Sequence, residues 1–328
     1  MSASVALQLE DFVRRHGPWT AHNIDLGDGV TTMGTRPVAE ELALRRMLQA
    51  ATDLAGRPLH ELRVLDLGCN EGLFAIEFAR HGAAVVGIEG REASLEKARF
   101  VQKLLKLDRL QFHCDDVRNL DEARYGRFDV VLCVGLLYHL DEPDVMEFIE
   151  RMARVCDRVT FLHTHISIAP KVSCTWKGHT YWGRHFLEHL PDEDPTGAGW
   201  SSLDNLSSFW LTRASLCDVL MDTGFTTVSE LRVPFIPWQP DDHVTLAAVR
   251  GPRVLVHSIP GLDGAEWDRW PERRRFTVHP GQKWYYPLYR RLLSALPPRL
   301  RGALRRVLRM GRARIGIWWA RPGGFGRG

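Results

Sequence analysis

The segment Val64–Gly72, VLDLGCNEG, lies between a short apolar run and a stretch with helical periodicity. Its two glycines, Gly68 and Gly72, allow the chain to turn tightly and let a ligand approach the backbone. The backbone amides at the start of the following helix point at the same place. The segment therefore predicts a strand, turn and helix that bind a cofactor, although similar glycine-rich turns also bind nucleotides or flavins, or serve packing alone.

Outward from this segment, short apolar runs alternate with stretches of helical periodicity. The order is RVLDL, GLFAIEFARHG, AAVVGIE, ASLEKARFVQKLLK and LQFHC, which is typical of a βαβαβ unit. A fourth strand is predicted at 128–134, a helix at 143–155 and a fifth strand at 157–165. Because strands this uniformly apolar lie in the middle of a covered sheet, we predict an α/β fold with a Rossmann-like, doubly wound, mostly parallel sheet.

Three regions are predicted along the chain. Residues 1–60 form an N-terminal cap, residues 61–250 the main domain, and residues 251–328 a C-terminal extension. Within the main domain, residues 166–208 are rich in Trp, His, Gly and Pro and too long for an ordinary connection, which predicts a functional insertion or lid after the fifth strand. A helix at 212–223 and the two strands TTVSELRV and HVTLAAVR are predicted to complete the sheet.

Composition bounds the class of protein. Of the 328 residues, 45% are hydrophobic and 25% charged, which excludes collagen-like, mucin-like and low-complexity chains. The sequence shows no apolar run long enough to span a membrane, and its first residues lack a signal-peptide pattern. Six scattered cysteines without a CxxC pair are predicted to be reduced thiols. We therefore expect a cytoplasmic protein.

Charge is distributed unevenly along the chain. The formal net charge is +3, yet residues 281–328 contain one Lys, eleven Arg and no acid, which leaves −9 on residues 1–280. Apolar residues recur at helical spacing among the arginines of 299–312, and aromatic residues flank them between 284 and 319. Such a basic amphipathic helix predicts attachment to an anionic membrane surface, at the inner membrane face; docking on the acidic body and nucleic-acid binding are the alternatives.

Three carboxylates follow three successive predicted strands. Asp66 lies at the end of the first, Glu89 at the end of the second and Asp116 just after the third. A buried carboxylate needs a cation or hydrogen-bond donors, and an acid in the position of Glu89 can accept both hydroxyls of a ribose. The set suits a ligand with an amine, a ribose and an adenine, and it would repel a pyrophosphate, so a dinucleotide is not expected.

The segments VLDLGCNEG, VVGIEG, CDDV and FDVVLCVGLLYHL resemble the four nucleotide-pocket motifs of class I S-adenosylmethionine-dependent methyltransferases, over about residues 60–250. The resemblance implies S-adenosylmethionine as the cofactor. The positions it implies for cofactor binding are Asp66, Gly68, Cys69, Asn70 and Gly72 for the methionine part, Glu89 for the ribose, Asp116 and Val117 for the adenine, and Val134, Gly135 and Leu136 for the crevice of the methyl donor. Gly90, next to Glu89, is assigned to cofactor binding as well.

A finer resemblance concerns the subgroup. Arg14 and Arg15, the following GPW, the triplet NID at 23–25 and GLLYHL at 135–140 are similar to the enzymes that carboxymethylate a tRNA wobble uridine, and to their relatives that methylate small natural products or sugars. Since an acidic body is poorly suited to a polyanion, we favour a small-molecule acceptor, methylated on oxygen. A tRNA-modifying enzyme and a non-catalytic cofactor-binding module are the alternatives.

Histidines supply the candidate catalytic groups. His139 lies just past the fourth strand, and an imidazole there suits a general base, although a histidine bonded to backbone at a helix start is the alternative. His165 ends the fifth strand and is predicted to reach the same crevice. Together with His163, these residues also suggest a metal site, but local spacing supplies no third ligand, so none is predicted.

Aromatic residues of the insertion and its flank are candidates for acceptor binding. Trp182 and Trp210 are predicted to stack against a sugar or aromatic acceptor, with the insertion's own core as the alternative explanation. His22, in the N-terminal cap, is also assigned to acceptor binding.

Overall fold

The structure is a computed structural model that describes residues 4–34, 41–190, 201–233 and 239–252, with isolated positions between 288 and 300. Its helices are α1 Val5–His16, α2 Glu41–Ala55, α3 Leu73–Arg80, α4 Glu92–Leu105, α5 Glu122–Tyr125, α6 Asp144–Val155 and α7 Arg213–Asp222. Its strands are β1 Asp25–Gly27, β2 Val30–Thr31, β3 Arg63–Leu67, β4 Ala84–Glu89, β5 Leu110–Cys114, β6 Phe128–Val134, β7 Cys156–His165, β8 Val172–Trp176, β9 His179–Leu187, β10 Ser207–Leu211, β11 Thr227–Glu230 and β12 His243–Val249.

A seven-stranded sheet forms the centre of the fold, in the order β11-β12-β7-β6-β3-β4-β5. Neighbours from β7 to β5 pair in parallel, whereas β12 is antiparallel to both β7 and β11. Six strands therefore run in one direction and β12 alone opposes them. This confirms the predicted α/β class with a doubly wound, mostly parallel sheet.

Both faces of the sheet are covered by helices, because the strands alternate their buried side chains between two cores. Leu65 and Val131 point into the core that contains Phe148 of α6. Their chain neighbours Val64 and Val130 point into the opposite core, which contains residues of α1 to α4. The carboxyl ends of β3 to β7 are left open at one edge, which is where ligands bind in such sheets.

The insertion contains a small antiparallel sheet in the order β10-β9-β8. One of its faces packs on the main core through Tyr181, Phe209 and Leu211, all of them buried. The chain then enters α7, where the hydroxyl of Thr212 caps the helix by accepting the amide of Ser215. The predicted interruption after the fifth strand is therefore a folded structure with a face turned toward the open edge of the sheet.

Contacts within the chain divide it into two compact units, residues 1–277 and 278–328. The predicted division at residues 60 and 250 remains a prediction. Nearly all of the basic segment at 284–319 lies outside the described residues. Among the helices that the structure describes, none has the length and apolar character needed to cross a membrane.

Candidate functional site

One cavity opens at the carboxyl ends of the parallel strands and brings together most of the predicted site residues. Those on its lining are His22, Asp66, Gly68, Cys69, Asn70, Glu89, Gly90, Asp116, Val117, Val134, Gly135, Leu136, His139 and His165. Gly72, Trp182 and Trp210 were also predicted, but they are not on its lining. We call the part around Asp66, Glu89 and Asp116 the carboxylate end, and the part around Tyr138, His139, His163, His165 and His243 the histidine end.

The turn between β3 and α3 forms the floor of the carboxylate end. Gly68 has a φ of +65°, and its amide donates to the carbonyl of Ile88 at 2.8 Å, which ties the turn to β4. Gly72, at φ +89°, packs against α4 instead of facing the cavity, since a Cβ there would lie 2.9 Å from the Cβ of Ala98. Gly72 thus holds the helix close to the sheet, which is a different contribution from the direct cofactor contact that the sequence suggested.

Asp66 is buried, and its Oδ2 accepts the amide of Ala75 at 3.0 Å. The pKa of this carboxyl is raised to about 7, chiefly by burial; the hydrogen bond from the Ala75 amide lowers it and the nearby charge of Glu89 raises it. A carboxyl in this condition is favoured as an anion once a cation lies beside it. Asp66 is therefore a residue that could hold an ammonium group.

Glu89 is held at the end of β4 by two backbone amides. Its Oε1 accepts from Arg91 at 2.9 Å and its Oε2 from Asn70 at 3.1 Å. Each carboxylate oxygen has a second lone pair, so the fixed carboxylate can still accept two hydroxyl groups. This is the geometry that recognition of a ribose requires.

Asp116 lies at the mouth of the carboxylate end. Its Oδ1 accepts the amide of Arg118 at 2.8 Å, and its Oδ2 pairs with the guanidinium of the same residue at 2.5 Å. Arg118 also contacts Asp204 of the insertion, at 2.6 Å, and Asp144 of α6, at 3.5 Å. Asp116, which the sequence predicts to bind the adenine, is thus already paired with Arg118, a contact that the sequence did not indicate.

Residues 201–205, which we call the strap, extend across the mouth of the cavity. Arg91 donates to the carbonyls of Ser201 and Ser202 at 2.9 and 3.1 Å. Leu203 fits over Gly90 so closely that a Cβ at Gly90 would lie 2.5 Å from it. The glycine predicted from the ribose motif therefore provides space for the strap.

A histidine and a glutamate meet at the histidine end. The Nδ1 of His139 lies 3.1 Å from both carboxylate oxygens of Glu188, which directly follows β9. Glu188 also accepts the hydroxyl of Ser208 at 2.8 Å and the amide of Ser202 at 3.3 Å. Burial alone would raise the pKa of the Glu188 carboxyl, but His139, Ser208 and the Ser202 amide together hold it below its usual value.

The ionised Glu188 fixes the proton arrangement of the imidazole. Because its carboxylate accepts hydrogen bonds only, Nδ1 of His139 carries a proton and donates it, and the lone pair of the neutral ring lies on Nε2. His139 lines the cavity with 15% of its side chain exposed. Glu188 could not be identified from local spacing, since 49 residues separate the two partners.

The remaining rings of the histidine end form a continuous cluster. His165 stacks on His243 at 4.3 Å and on Trp210 at 5.1 Å, and Tyr138 meets it edge-on at 4.9 Å. His163 contacts Thr245 Oγ1 at 2.8 Å, and burial, with Arg46 and His165 nearby, lowers its pKa to about 3. In the described ranges, no group of three His, Cys, Asp or Glu side chains could hold a metal ion.

The two predicted tryptophans differ in their surroundings. Trp210 is 1% exposed and donates its Nε1 to the carbonyl of Tyr138 at 2.8 Å, so it backs the histidine end from behind. Trp182 is 38% exposed on β9 and lies off the cavity lining. Their role in acceptor binding remains a prediction, in which Trp210 would act through the rings that it supports.

Comparison with known proteins agrees with this geometry. Residues 64–158 match a family described as "Methyltransferase domain". The ubiquinone biosynthesis O-methyltransferase of Neisseria meningitidis serogroup A is 41% identical over 92 residues, which cover 28% of this chain and 37% of that protein. The enzyme of the same name from Acinetobacter baylyi is 32% identical over 102 residues, 31% of this chain and 41% of that protein. The chain thus spans 37 to 41% of the length of these curated relatives.

A solved structure covers more of the chain. The N-terminal domain of EvdMO1, crystallised in the presence of SAH and D-fucose, has a TM-score of 0.60 and 25% identity, covering 76% of this chain and 98% of that one. The same domain with SAH bound gives a TM-score of 0.60 and 26% identity, over the same shares of the two chains. SAH is the demethylated form of S-adenosylmethionine. The sequence match, the strand order and the SAH-bound neighbour together identify residues 64–158 as a class I S-adenosylmethionine-dependent methyltransferase domain.

Proposed function

We propose that this protein transfers a methyl group from S-adenosylmethionine to a hydroxyl oxygen of a small molecule. The observation that carries the proposal is the pair of His139 and Glu188, in which His139 lines the same cavity as the carboxylates and Glu188 holds its Nδ1. A cofactor site alone would need no such pair. A hydroxyl acceptor needs a group that removes its proton, and the pair provides one.

The residues of the carboxylate end fit S-adenosylmethionine. The buried carboxyl of Asp66, whose pKa is raised to about 7 chiefly by burial, gains a cationic partner in the ammonium group. Glu89 has lone pairs for the ribose, and Asp116 with Val117 borders the adenine position. Val134, Gly135 and Leu136 line the crevice between the two ends. When bound, S-adenosylmethionine supplies an electrophilic methyl group on its sulfonium.

His139 acts in this proposal as the general base. Glu188 holds Nδ1, so that Nε2 can accept the proton of an acceptor hydroxyl. The hydroxyl oxygen would then take the methyl group as the carbon–sulfur bond breaks, and S-adenosylhomocysteine would leave as a neutral thioether. The imidazolium that results is stabilised by the adjacent ionised carboxylate. The strap and the insertion sheet exclude water and hold the acceptor in line, which is the larger part of catalysis for a displacement of this kind.

The histidine end favours a neutral, hydroxyl-bearing acceptor. Its imidazoles and Tyr138 offer hydrogen bonds in both directions, which suits hydroxyl groups. The cations on the described part of the cavity lining, Arg91 and Arg118, bind carbonyls of the strap and Asp116, and neither belongs to the histidine end. Arg46, near His163, is buried and donates to Thr245 and to the carbonyl of Arg232, so a phosphate-rich acceptor would find little accessible positive charge there.

The relatives suggest two chemical classes of acceptor. The curated relatives are named as O-methyltransferases of ubiquinone biosynthesis, and the N-terminal domain of EvdMO1 was crystallised in the presence of D-fucose. A ring hydroxyl of a sugar or of a phenol is therefore our proposed acceptor, with Trp182 available for a part of it that extends beyond the cavity. The tRNA subgroup that the sequence resembles is not favoured, and neither is a non-catalytic module.

The test uses the purified chain with S-adenosylmethionine labelled in its methyl group. Small-molecule and RNA fractions of a cell extract are incubated with the protein and with the matched variant His139→Gln. We expect label in a hydroxylated small molecule with the wild type alone. Label in the RNA fraction would favour the tRNA alternative. Binding of S-adenosylmethionine without transfer to either fraction would favour the binding module.

The division at residues 60 and 250, the cytoplasmic location and the attachment of 284–319 to an anionic membrane are further proposals. Flotation with anionic and with neutral vesicles tests the attachment, since the basic segment should bind only the former.

A further inference from the structure

The segment that precedes β1 is fixed to the floor of the cavity by one buried glutamate. The side chain of Glu71 is 1% exposed, and its carboxylate accepts the backbone amides of Thr20, Ala21 and His22, each at 2.9 Å. Lys97 of α4 adds an ion pair at 2.8 Å. The position of His22 is thus set by its own backbone as well as by its ring.

The ring of His22 has a defined tautomer. Its Nδ1 lies 3.2 Å from the amide of Leu73, the first residue of α3, and that amide can only donate. Nδ1 therefore holds a lone pair, and the proton of the neutral imidazole is on Nε2. Burial lowers the pKa of His22 to about 4, although Glu71 opposes the shift, so the neutral form prevails through the physiological range.

This places a hydrogen-bond donor where the bound cofactor needs one. His22 lines the same cavity as Asp66 and Asn70, and its ring lies 6.4 Å from that of Phe74 in the first turn of α3. The amino-acid part of S-adenosylmethionine carries one ammonium and one carboxylate. Asp66 suits the ammonium, whereas the carboxylate requires donors and is favoured near the start of a helix.

We infer that Nε2–H of His22 donates a hydrogen bond to the carboxylate of bound S-adenosylmethionine. His22 is then a cofactor-binding residue and not the acceptor-binding residue that the sequence suggested. Glu71 acts as its positioning residue by fixing the backbone of residues 20–22. The inference rests on the proposed function, because it requires S-adenosylmethionine in this cavity.

The experiment compares S-adenosylmethionine with its decarboxylated analogue, by calorimetry, on the wild type, His22→Phe and the surface control His60→Phe. A hydrogen bond to a charged group corresponds to about a 10- to 100-fold change in affinity, so we expect His22→Phe to weaken S-adenosylmethionine by that factor. The analogue should bind the wild type and His22→Phe equally, and His60→Phe should behave as the wild type with both ligands.

Other outcomes separate the two levels of the proposal. Equal losses for both ligands in His22→Phe, or no loss for either, would overturn the role of His22 while leaving the cofactor in place. Failure of the wild type to bind either ligand would overturn the proposed function and this inference with it.

A second measurement uses the wild-type protein, so it does not depend on whether a variant folds. In protein labelled with ¹⁵N-histidine, we expect the His22 signals of the Nε2–H tautomer without ligand. S-adenosylmethionine should shift the Nε2 proton downfield, and the decarboxylated analogue should not. The other tautomer in the free protein, or equal shifts with the two ligands, would contradict the inference.

Discussion

The carboxylate end and the histidine end of the cavity are assembled in different ways. At the carboxylate end, Asp66, Glu89 and Asp116 each lie at or just after the carboxyl end of one parallel strand, and short turns fix them. At the histidine end, His139 depends on Glu188, which comes from an insertion 49 residues away. The carboxylate end is therefore formed by the parallel sheet and its turns, whereas the histidine end also requires residues that the insertion contributes.

Replacing His139 should have the largest effect, because it should lower the rate of methyl transfer without changing cofactor binding. A general base contributes about 100- to 10,000-fold to the rate, so we expect His139→Gln to lower kcat by a factor in that range. Affinity for S-adenosylmethionine should not change, because the carboxylate end remains intact. Single-turnover transfer and calorimetry measure the two quantities, with His60→Gln as a surface control.

The variant Glu188→Gln tests how much the charge of the Glu188 carboxylate contributes to the action of His139. The amide can accept from Nδ1 of His139 but provides no charge for the imidazolium, so kcat should lie between the values of the wild type and His139→Gln. Equal kcat in the wild type and both variants would remove His139 as the base. A matching loss of cofactor affinity in both would show that the two ends are not separable.

The buried carboxyl of Asp66 gives the carboxylate end a pH dependence of its own. Its pKa rises from 3.8 to about 7 on folding, mainly through burial. The folded state therefore holds the proton more tightly than the unfolded state, so stability is greatest below the lower value and falls as the pH rises to the upper one. The loss amounts to about 4 kcal/mol for a shift of this size.

Asp66→Asn should remove that loss. Without ligand, we expect the free energy of unfolding of the variant to increase relative to that of the wild type between about pH 4 and pH 7, because the contributions of other groups such as His22 and His163 are the same in both proteins and cancel in the difference. Urea unfolding at several pH values measures the difference, and Asp108→Asn, on an exposed loop, is the control. A wild type and variant with parallel pH profiles would mean that Asp66 is charged without a ligand.

Glu89 tests binding at the same end. Gln at this position can still accept one backbone amide, but it loses the charge that strengthens bonds to the ribose hydroxyls. We expect Glu89→Gln to weaken S-adenosylmethionine about 10- to 100-fold, which is the range for hydrogen bonds to a charged group. Calorimetry measures the change against Asp108→Asn. Unaltered affinity would contradict the assignment of Glu89 to the ribose.

The difference between the carboxylate end and the histidine end also explains which features could be predicted from the sequence. The strand order and the residues at strand ends follow from local patterns, because a parallel strand and its turn fix their own side chains within a few residues. Local reasoning singled out Gly72 for a tight turn and Gly90 for cofactor binding, but it did not indicate that Ala98 and Leu203 pack against them. Those contacts depend on tertiary packing, which no local pattern encodes.

The histidine end was only partly predictable for the same reason. His139 and His165 stand out because they lie at or just after strand ends, yet their partners come from the small antiparallel sheet, where Glu188 follows β9 and Trp210 lies on β10. Nothing in the spacing relates the end of β9 to the end of β6. His22 is a candidate for acceptor binding in the sequence, and no local pattern indicates the hydrogen bond that its ring accepts from the first residue of α3.

The strap joins the two ends, so it offers the most sensitive test of their independence. It contacts the carboxylate end through Arg91 and Arg118, and Asn205 within it donates to the carbonyl of His139 at 3.0 Å. The pair of Arg118 and Asp204 is largely exposed, with 31% and 57% of the side chains accessible. Exposed pairs contribute up to about 1 kcal/mol, so Asp204→Asn should speed release of S-adenosylmethionine by at most about fivefold.

The control for this change is Asp144→Asn, because Asp144 meets the same guanidinium at 3.5 Å from α6 and not from the strap. Stopped-flow displacement should give faster release for Asp204→Asn and a wild-type rate for Asp144→Asn. Equally faster release in the two variants would mean that the loss of either negative charge beside Arg118 causes the change. The strap would then not hold the cofactor. If Asp204→Asn also lowered kcat as His139→Gln does, the strap would be positioning the base through Asn205, and the two ends would function as one.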